Sequence, residues 1–187
     1  TGLECTLVLP GTNAGSLEQS YYSCGYGNDV WYKFTATAPI HWVQLNNLNA
    51  ILNNGGIWME VLQSADCSTF NNLYCVSYNQ TAYLTGLNPG ETYYIRVACD
   101  PNTVYSYDLC IQSIFPPAND DCANATALDI APETFCSNDI AGTTLGANSS
   151  GLSPCNYDGY DVWYSFTATQ AAHSITVTDV IDAQFAF

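Results

Sequence analysis

Alternating apolar and polar positions along the chain predict β-strands. The clearest case is residues 29–37, where Val30, Tyr32 and Phe34 alternate with Trp31, Lys33 and Thr35, a period of two rich in β-branched and aromatic residues. No segment keeps a helical period for more than a turn or two. Further strands are predicted at residues 40–45, 57–62, 73–77 and 104–111, and a loop at 46–56. An all-β fold follows.

The strand at 29–37 occurs twice. Residues 161–169 repeat it at a distance of 132 residues (from 29 to 161), with eight of nine positions identical. A distance of this size suits a whole domain. Because Lys33 is replaced by Ser165 while the aromatic residues stay, we expect the Lys33 side to face solvent. Trp31 and Trp163 hold the same place in both copies and are predicted to be structural.

The flanks of this segment repeat as well. Cys5 and Cys24 return 131 residues later as Cys136 and Cys155, and His41 returns 132 residues later as His173. Two tandem sandwich domains are therefore predicted, 1–115 without its first strand and 116–187 without its C-terminal half. Either the sequence belongs to a longer protein or sister chains donate the missing strands. We favour the longer protein.

A turn between two sheets is predicted before residue 93. Leu87 is followed by Pro89-Gly90 and then by Tyr93-Tyr94, which opens a strand. This order is typical of a tyrosine corner, in which the phenol of Tyr93 or Tyr94 bonds back to the backbone. The prediction is an immunoglobulin- or fibronectin-like sandwich.

The charge balance excludes several classes of partner. Lys33 and Arg96 are the only basic residues against 17 acidic ones, for a formal net charge of −15. Nucleic acid and anionic membrane surfaces are therefore not expected as partners. Since no stretch is long and apolar enough to span a bilayer, no membrane insertion is expected.

Nine cysteines without a Cys-x-x-Cys motif indicate disulfides in an oxidising compartment. Cys67 with Cys75 is the first predicted pair, across a short connection. Cys99 with Cys110, on the arms of a predicted hairpin, is the second. Cys122 with Cys136 is the third. Cys24 with Cys110 is the main competitor, and Cys5 is expected to need an upstream partner.

Two kinds of polar residue are candidate sites. Asp120, Asp121, Asp158 and Asp161 either bind calcium through their oxygen ligands or cap turns, and we favour capping because the spacing is not that of a calcium loop. No other cofactor is expected. The repeated histidines at 41 and 173 lack an accompanying nucleophile, base and acid, so no enzyme is predicted.

Several segments together resemble a known group of modules. They are residues 116–122, 29–36, 161–168, 87–97 and 109–111. They look like the cysteine-bearing β-sandwich repeats of large proteins that Bacteroidota secrete by the type IX system, and are similar to pre-peptidase C-terminal and fibronectin-type modules. The resemblance implies an extracellular or cell-surface protein of many repeats.

Two functions are compatible with these observations. The first is a structural or adhesive repeat of a long extracellular filament, appendage or surface adhesin, whose partners are sister chains or neighbouring repeats. The second is a carbohydrate- or surface-binding module that accompanies a secreted hydrolase. It predicts exposed aromatic residues and binding to a glycan or cell surface.

Overall fold

Eight strands follow one another in the described part of the chain between Val8 and Ile114. The computed structural model describes residues 5, 8–18, 24–77, 81–131, 138–152 and 159–180. The chain divides into two units, Thr1–Pro116 and Pro117–Phe187. The strands of the first unit are β1 (Val8–Thr12), β2 (Asn28–Thr35), β3 (Ile40–Leu52), β4 (Ile57–Gln63), β5 (Asn71–Ser77), β6 (Thr81–Leu84), β7 (Thr92–Cys99) and β8 (Val104–Ile114).

These strands form two antiparallel sheets that enclose one core. Sheet A has the order β1-β8-β3-β6, and sheet B has the order β2-β7-β4-β5. Side chains of both sheets meet inside, and burial of this apolar surface stabilises the fold. Its fully buried members include Val43, Leu45, Ile57, Met59, Val61, Ile95 and Val97. The predicted all-β sandwich is confirmed. Among the described residues, no helix is long and apolar enough to cross a membrane.

The repeated segment is strand β2. Its alternation places Val30, Tyr32 and Phe34 against the core and leaves Lys33 exposed, as the sequence predicted. The hydroxyl of Tyr32 lies 2.9 Å from that of Tyr107 on the opposite sheet. Gly11 passes so close to the Tyr32 hydroxyl and the Tyr107 ring that a Cβ atom there would clash with both. This glycine therefore permits the two tyrosines to meet.

Strand β3 is longer than the alternation predicted. Residues 46–52, expected within a loop, continue the strand and pair with β8 through register shifts between Asn46 and Asn49 and between Ala50 and Leu52. Asn47 adopts a φ of 50°, and its amide donates to Asp108 at 2.7 Å. A local asparagine-rich composition favours a loop, but pairing with a long neighbouring strand overrides it.

The turn before β7 ties the two sheets together. Glu91 N–H donates to Asn88 O at 3.1 Å, with Pro89 and Gly90 between them. Gly90 has a φ of 94°, the conformation that a type II turn requires at this position. Tyr93 is the buried tyrosine of the pair, and its hydroxyl accepts from Asn88 N–H at 3.0 Å. This is the contact expected of a tyrosine corner.

The cysteine pairs differ from the predicted ones. Cys5 pairs with Cys110 and Cys24 pairs with Cys75, each with a Cα–Cα distance of 6.0 Å. The predicted Cys67–Cys75 pair is therefore wrong, as are the competing Cys24–Cys110 pair and the expected upstream partner of Cys5.

The predicted Cys99–Cys110 pair is wrong for a topological reason. Strands β7 and β8 lie in different sheets and form no hairpin. Cys99 faces the core. Cys110 follows the inward-facing Leu109 on β8, so its side chain lies on the opposite face of sheet A. Within the described residues, Cys67, Cys99 and Cys122 form no disulfide. Cys136 lies outside those residues, so the Cys122–Cys136 pair stays a prediction.

The second unit has little regular structure in its described part. A 3₁₀ turn spans Cys122–Asn124, and strands β9 (Thr126–Ala127) and β10 (Tyr164–Ser165) pair in parallel. Only Tyr164–Ser165 of the predicted second strand at 161–169 is assigned as a strand.

Two local contacts of the first unit nevertheless recur in the second. A Cβ atom on Gly142 would clash with the Tyr164 hydroxyl, as one on Gly11 would with Tyr32. Thr169 N–H donates to His173 Nε2 at 3.2 Å, and Thr37 N–H donates to His41 Nε2 at 3.3 Å. The repeat in sequence is accompanied by a repeat of local geometry, while the tandem sandwich stays a prediction.

Candidate functional site

A cleft of about 300 Å³ lies beside the tyrosine corner of the first unit. Strands β5 and β6 are edge strands of different sheets, and both contribute to its walls. We call it the corner cleft. Its lining combines aliphatic, tyrosine and amide residues: Gln63, Leu73, Tyr74, Tyr83, Leu84, Thr85, Gly86, Leu87, Asn88 and Tyr93.

The polar end of the corner cleft converges on Glu91. Its Oε2 accepts from Gln63 Nε2 at 3.2 Å, from Asn88 Nδ2 at 3.2 Å and from the Tyr93 hydroxyl at 3.4 Å. Glu91 itself is exposed, and its Oε1 has no hydrogen-bond partner among the described residues. Three donors therefore orient a carboxylate that keeps one oxygen open.

The fold explains why these residues meet. Gln63 ends β4 and lies opposite Tyr93 at the start of β7. The type II turn brings Asn88 and Glu91 to the same corner. Two hydrogen bonds hold the turn to the connection between β2 and β3. Gly90 N–H donates to Ala36 O at 2.8 Å, and Ala36 N–H donates to Glu91 O at 2.9 Å. A cleft with apolar walls and a few oriented polar groups is the usual form of a small-ligand site.

A second polar cluster lies on the outer face of sheet B and is buried. Cross-strand neighbours form one row over the four strands: Trp31, Arg96, Glu60 and Cys75. Arg96 donates through Nε to Asp29 at 2.6 Å and through Nη1 to Glu60 at 2.5 Å. The three charged side chains are at most 1% exposed.

The segment around Cys24 helps to cover this row. Because Cys24 is bonded to Cys75 at the end of the row, the carbonyls of Cys24 and Gly25 come within 3.4 and 3.3 Å of Arg96 Nη1. Trp31 lies 6.0 Å from the guanidinium. The repeated Asp-Val-Trp thus supplies both a carboxylate and a ring to Arg96. The arginine is engaged within the fold, so we interpret this cluster as structural.

The acidic candidates for calcium make turn contacts. Asp120 accepts from the backbone and side-chain amides of Asn148, both at 2.7 Å. Asp161 accepts from the backbone amide and hydroxyl of Ser150, and these bonds lower the pKa of its carboxyl. Asp121 precedes the 3₁₀ turn, and Asp158 lies outside the described residues. No group of three or more metal-ligating side chains occurs in the described part of the chain. Calcium binding stays the untested alternative to capping.

His41 is buried at the entry to β3. Its Nε2 accepts from Thr37 N–H and lies 3.1 Å from the Ser113 hydroxyl, and burial lowers the pKa of the imidazole. His173 accepts from Thr169 and Gln170 N–H, both at 3.2 Å. Both histidines thus serve as acceptors for local backbone amides.

The other aromatic candidates, Trp31, Trp163 and Tyr94, do not lie together. Trp31 is partly buried and packs on Phe70 at 5.0 Å between ring centroids, and Phe70 also contacts Tyr94. In the second unit, Trp163 N–H donates to Asn119 O at 2.8 Å, and the Asn119 side-chain amide donates to Trp163 O at 3.0 Å. Tyr94 lies beside the Cys67 thiol, whose hydrogen bond raises the pKa of the phenol.

Sequence reasoning did not find the corner cleft. It identified Pro89, Gly90 and Tyr93 as turn residues but gave no role to Gln63 or Glu91. Gln63 is separated from Glu91 by 28 residues and reaches it only through the pairing of β4 with β7.

Comparison with known proteins gives one family match. Residues 118–186, within the second unit, match the model of a family described as galactose binding domain-like and associated with type IX secretion. No curated protein matches the chain. The match indicates a secreted module associated with type IX secretion. The likeness to pre-peptidase C-terminal and fibronectin-type modules stays a prediction.

Proposed function

We propose that the protein is a secreted, non-catalytic carbohydrate-binding module, and that the corner cleft of its first unit is a glycan site. The observation that carries this proposal is the lining of the cleft, which combines tyrosine and leucine side chains with two amides, Gln63 and Asn88. Both amides and the Tyr93 phenol donate to the adjacent carboxylate of Glu91. Sugars present both apolar ring faces and hydroxyl groups, and this combination suits them.

The family match supports the same function. It lies in the second unit, and its description names a galactose-binding fold. The first unit shares with the second the repeated nine-residue segment and the glycine–tyrosine and histidine contacts. These shared features are the reason why we propose sugar binding for the first unit as well.

The test is an immobilised glycan array probed with the full chain. We expect selective binding to a group of related glycans, with galactose-terminated structures as the first probes. A chain that is folded by circular dichroism and binds no glycan on the array would refute the proposal.

A second candidate is a structural or adhesive repeat of an extracellular filament or surface adhesin. The recurrence of the segment 29–37 at 161–169 favours it, since repeats of this kind build extended proteins. It predicts concentration-dependent self-association in sedimentation velocity. A chain that stays monomeric up to millimolar concentration would count against it.

A further inference from the structure

We infer that the corner cleft selects neutral sugars over acidic ones, with Glu91 Oε1 as the acceptor for a sugar hydroxyl. This inference rests on the proposed function and names the ligand class of the same site.

The first step is the state of the Glu91 carboxylate. Oε2 receives donors from Gln63, Asn88 and Tyr93, whereas Oε1 has none among the described residues. Because three residues that line the cleft hold the carboxylate in one orientation, Oε1 is a fixed and charged acceptor on the exposed surface next to the cleft. A hydrogen bond from a sugar hydroxyl to such an oxygen is stronger than one between neutral groups.

No basic side chain lines the corner cleft among the residues that the structure describes, so an acidic ligand would not be neutralised there. The chain has two basic residues, and neither lines the cleft. Arg96 is buried against Asp29 and Glu60, and Lys33 lies on β2, in register with Tyr94. A carboxylate or sulfate on a sugar would meet Glu91 without a compensating cation, and like charges at contact repel.

The third step concerns the apolar walls. Tyr74 and Tyr83 come from the two edge strands, and Leu73 is 37% exposed beside them. An aromatic side chain and an aliphatic one at the rim provide a surface for the apolar face of a pyranose ring. The cleft volume of about 300 Å³ sets the size at one or two sugar units.

The experiment compares the full chain with three variants on an array that carries neutral, uronate-containing, sialylated and sulfated glycans. The variants are Glu91→Gln and Tyr83→Ala in the cleft and Asp129→Asn as a charge-matched control in the second unit, where Asp129 is exposed. Thermal unfolding verifies that each variant is folded.

We expect the wild-type chain to bind neutral glycans at least tenfold more tightly than acidic glycans with the same backbone. Glu91→Gln should weaken neutral binding about tenfold, in line with the loss of a charged acceptor, and should narrow the gap to acidic glycans. Tyr83→Ala should weaken binding as well, and Asp129→Asn should leave it unchanged. Affinity for the neutral glycan should not depend on salt, because no ion pair forms.

The outcomes separate the two proposals. Preferred binding of acidic glycans would overturn the inference and leave the proposed function standing. Neutral binding that is unaffected by both cleft variants would overturn the inference and the placement of the glycan site in the corner cleft, and only carbohydrate binding by the chain would stand. No binding to any glycan would overturn both.

Discussion

Tyr93 shows how one buried hydroxyl serves both the fold and the site. It accepts from Asn88 N–H at 3.0 Å and donates to Glu91 Oε2 at 3.4 Å. The first bond closes the corner between the sheets, and the second helps to orient the carboxylate. A single side chain thus links the geometry of the turn to the geometry of the cleft.

We expect Tyr93→Phe to lower the free energy of unfolding by about 1 kcal/mol, because one backbone donor loses its partner while the ring stays in place. Thermal unfolding measures this as a fall of a few degrees in Tm. Tyr94→Phe is the matched control, since its hydroxyl lies beside Cys67 and not at the corner. An equal fall in both variants would contradict the role of the corner bond.

His41 predicts a pH dependence. Burial lowers the pKa of its imidazole below the ordinary value of 6.5, and Nε2 must stay unprotonated to accept from Thr37 N–H. The neutral ring is therefore favoured in the folded state. Its contribution to stability is complete above about pH 6.5 and is lost as the pH falls through the lower folded pKa.

The measurement is Tm at pH 7.5 and pH 5 for the wild-type chain and for His41→Gln. The wild-type chain should lose more stability between pH 7.5 and pH 5. At the lower pH its unfolded state binds a proton at His41 that the buried imidazole of the folded state resists, and His41→Gln removes this difference. The carboxylates are the same in both proteins, so their effects cancel. Equal losses in the two proteins would show that the pKa of His41 does not change on folding.

At the scale of elements, the first copy of the repeated segment contributes to the buried ionic cluster on sheet B. Asp29 and Trp31 of β2 both address Arg96 of β7, and Glu60 of β4 completes the cluster. The Cys24–Cys75 disulfide holds a further segment over this row. Strand pairing thus brings charged residues of β2, β4 and β7 together in one buried ionic cluster.

Arg96→Met should strongly destabilise the chain, by about 3–5 kcal/mol, because two buried carboxylates lose their cation. Lys33→Met removes the same charge from an exposed position and should change stability by less than about 0.5 kcal/mol. Chemical denaturation compares the two. Adding Asp29→Asn and Glu60→Gln to Arg96→Met should restore part of the loss, and no recovery would contradict the electrostatic explanation.

For the whole molecule, the net charge of −15 opposes compaction. The buried Arg96 cluster is shielded from solvent ions, whereas the surface carboxylates are not. The Debye length falls from ~10 Å at 0.1 M salt to ~3 Å at 1 M, so added salt mainly relieves surface repulsion.

We therefore expect Tm to rise by several degrees between 0.05 and 1 M NaCl. Choline chloride at equal ionic strength should give the same rise. A fall in Tm with salt would show that surface attraction outweighs repulsion. A further rise with millimolar calcium at constant ionic strength would favour calcium binding, the alternative to turn capping at Asp120 and Asp161.

The sequence by itself determined the local features. Alternation located β2, β4, β5 and β8, and Pro89-Gly90 before Tyr93 located the corner, because strand pleating and turn conformations depend on neighbouring residues. The repeat placed His41 and His173 at equivalent positions, and in the structure both accept from backbone N–H groups close to them in sequence. The charge balance, which underlies the proposed preference for neutral ligands, follows from composition alone.

Only the tertiary structure decided which distant residues meet. Cys5 and Cys110 are separated by 105 residues and Cys24 and Cys75 by 51, and their pairing depends on which sheet and which face each cysteine occupies. The extension of β3 through 46–52 depends on the length of β8 beside it. The corner cleft forms where β5 and β6, edges of different sheets, come together beside Gln63 and the turn. Each of these depends on sheet order, which alternation along one strand does not specify.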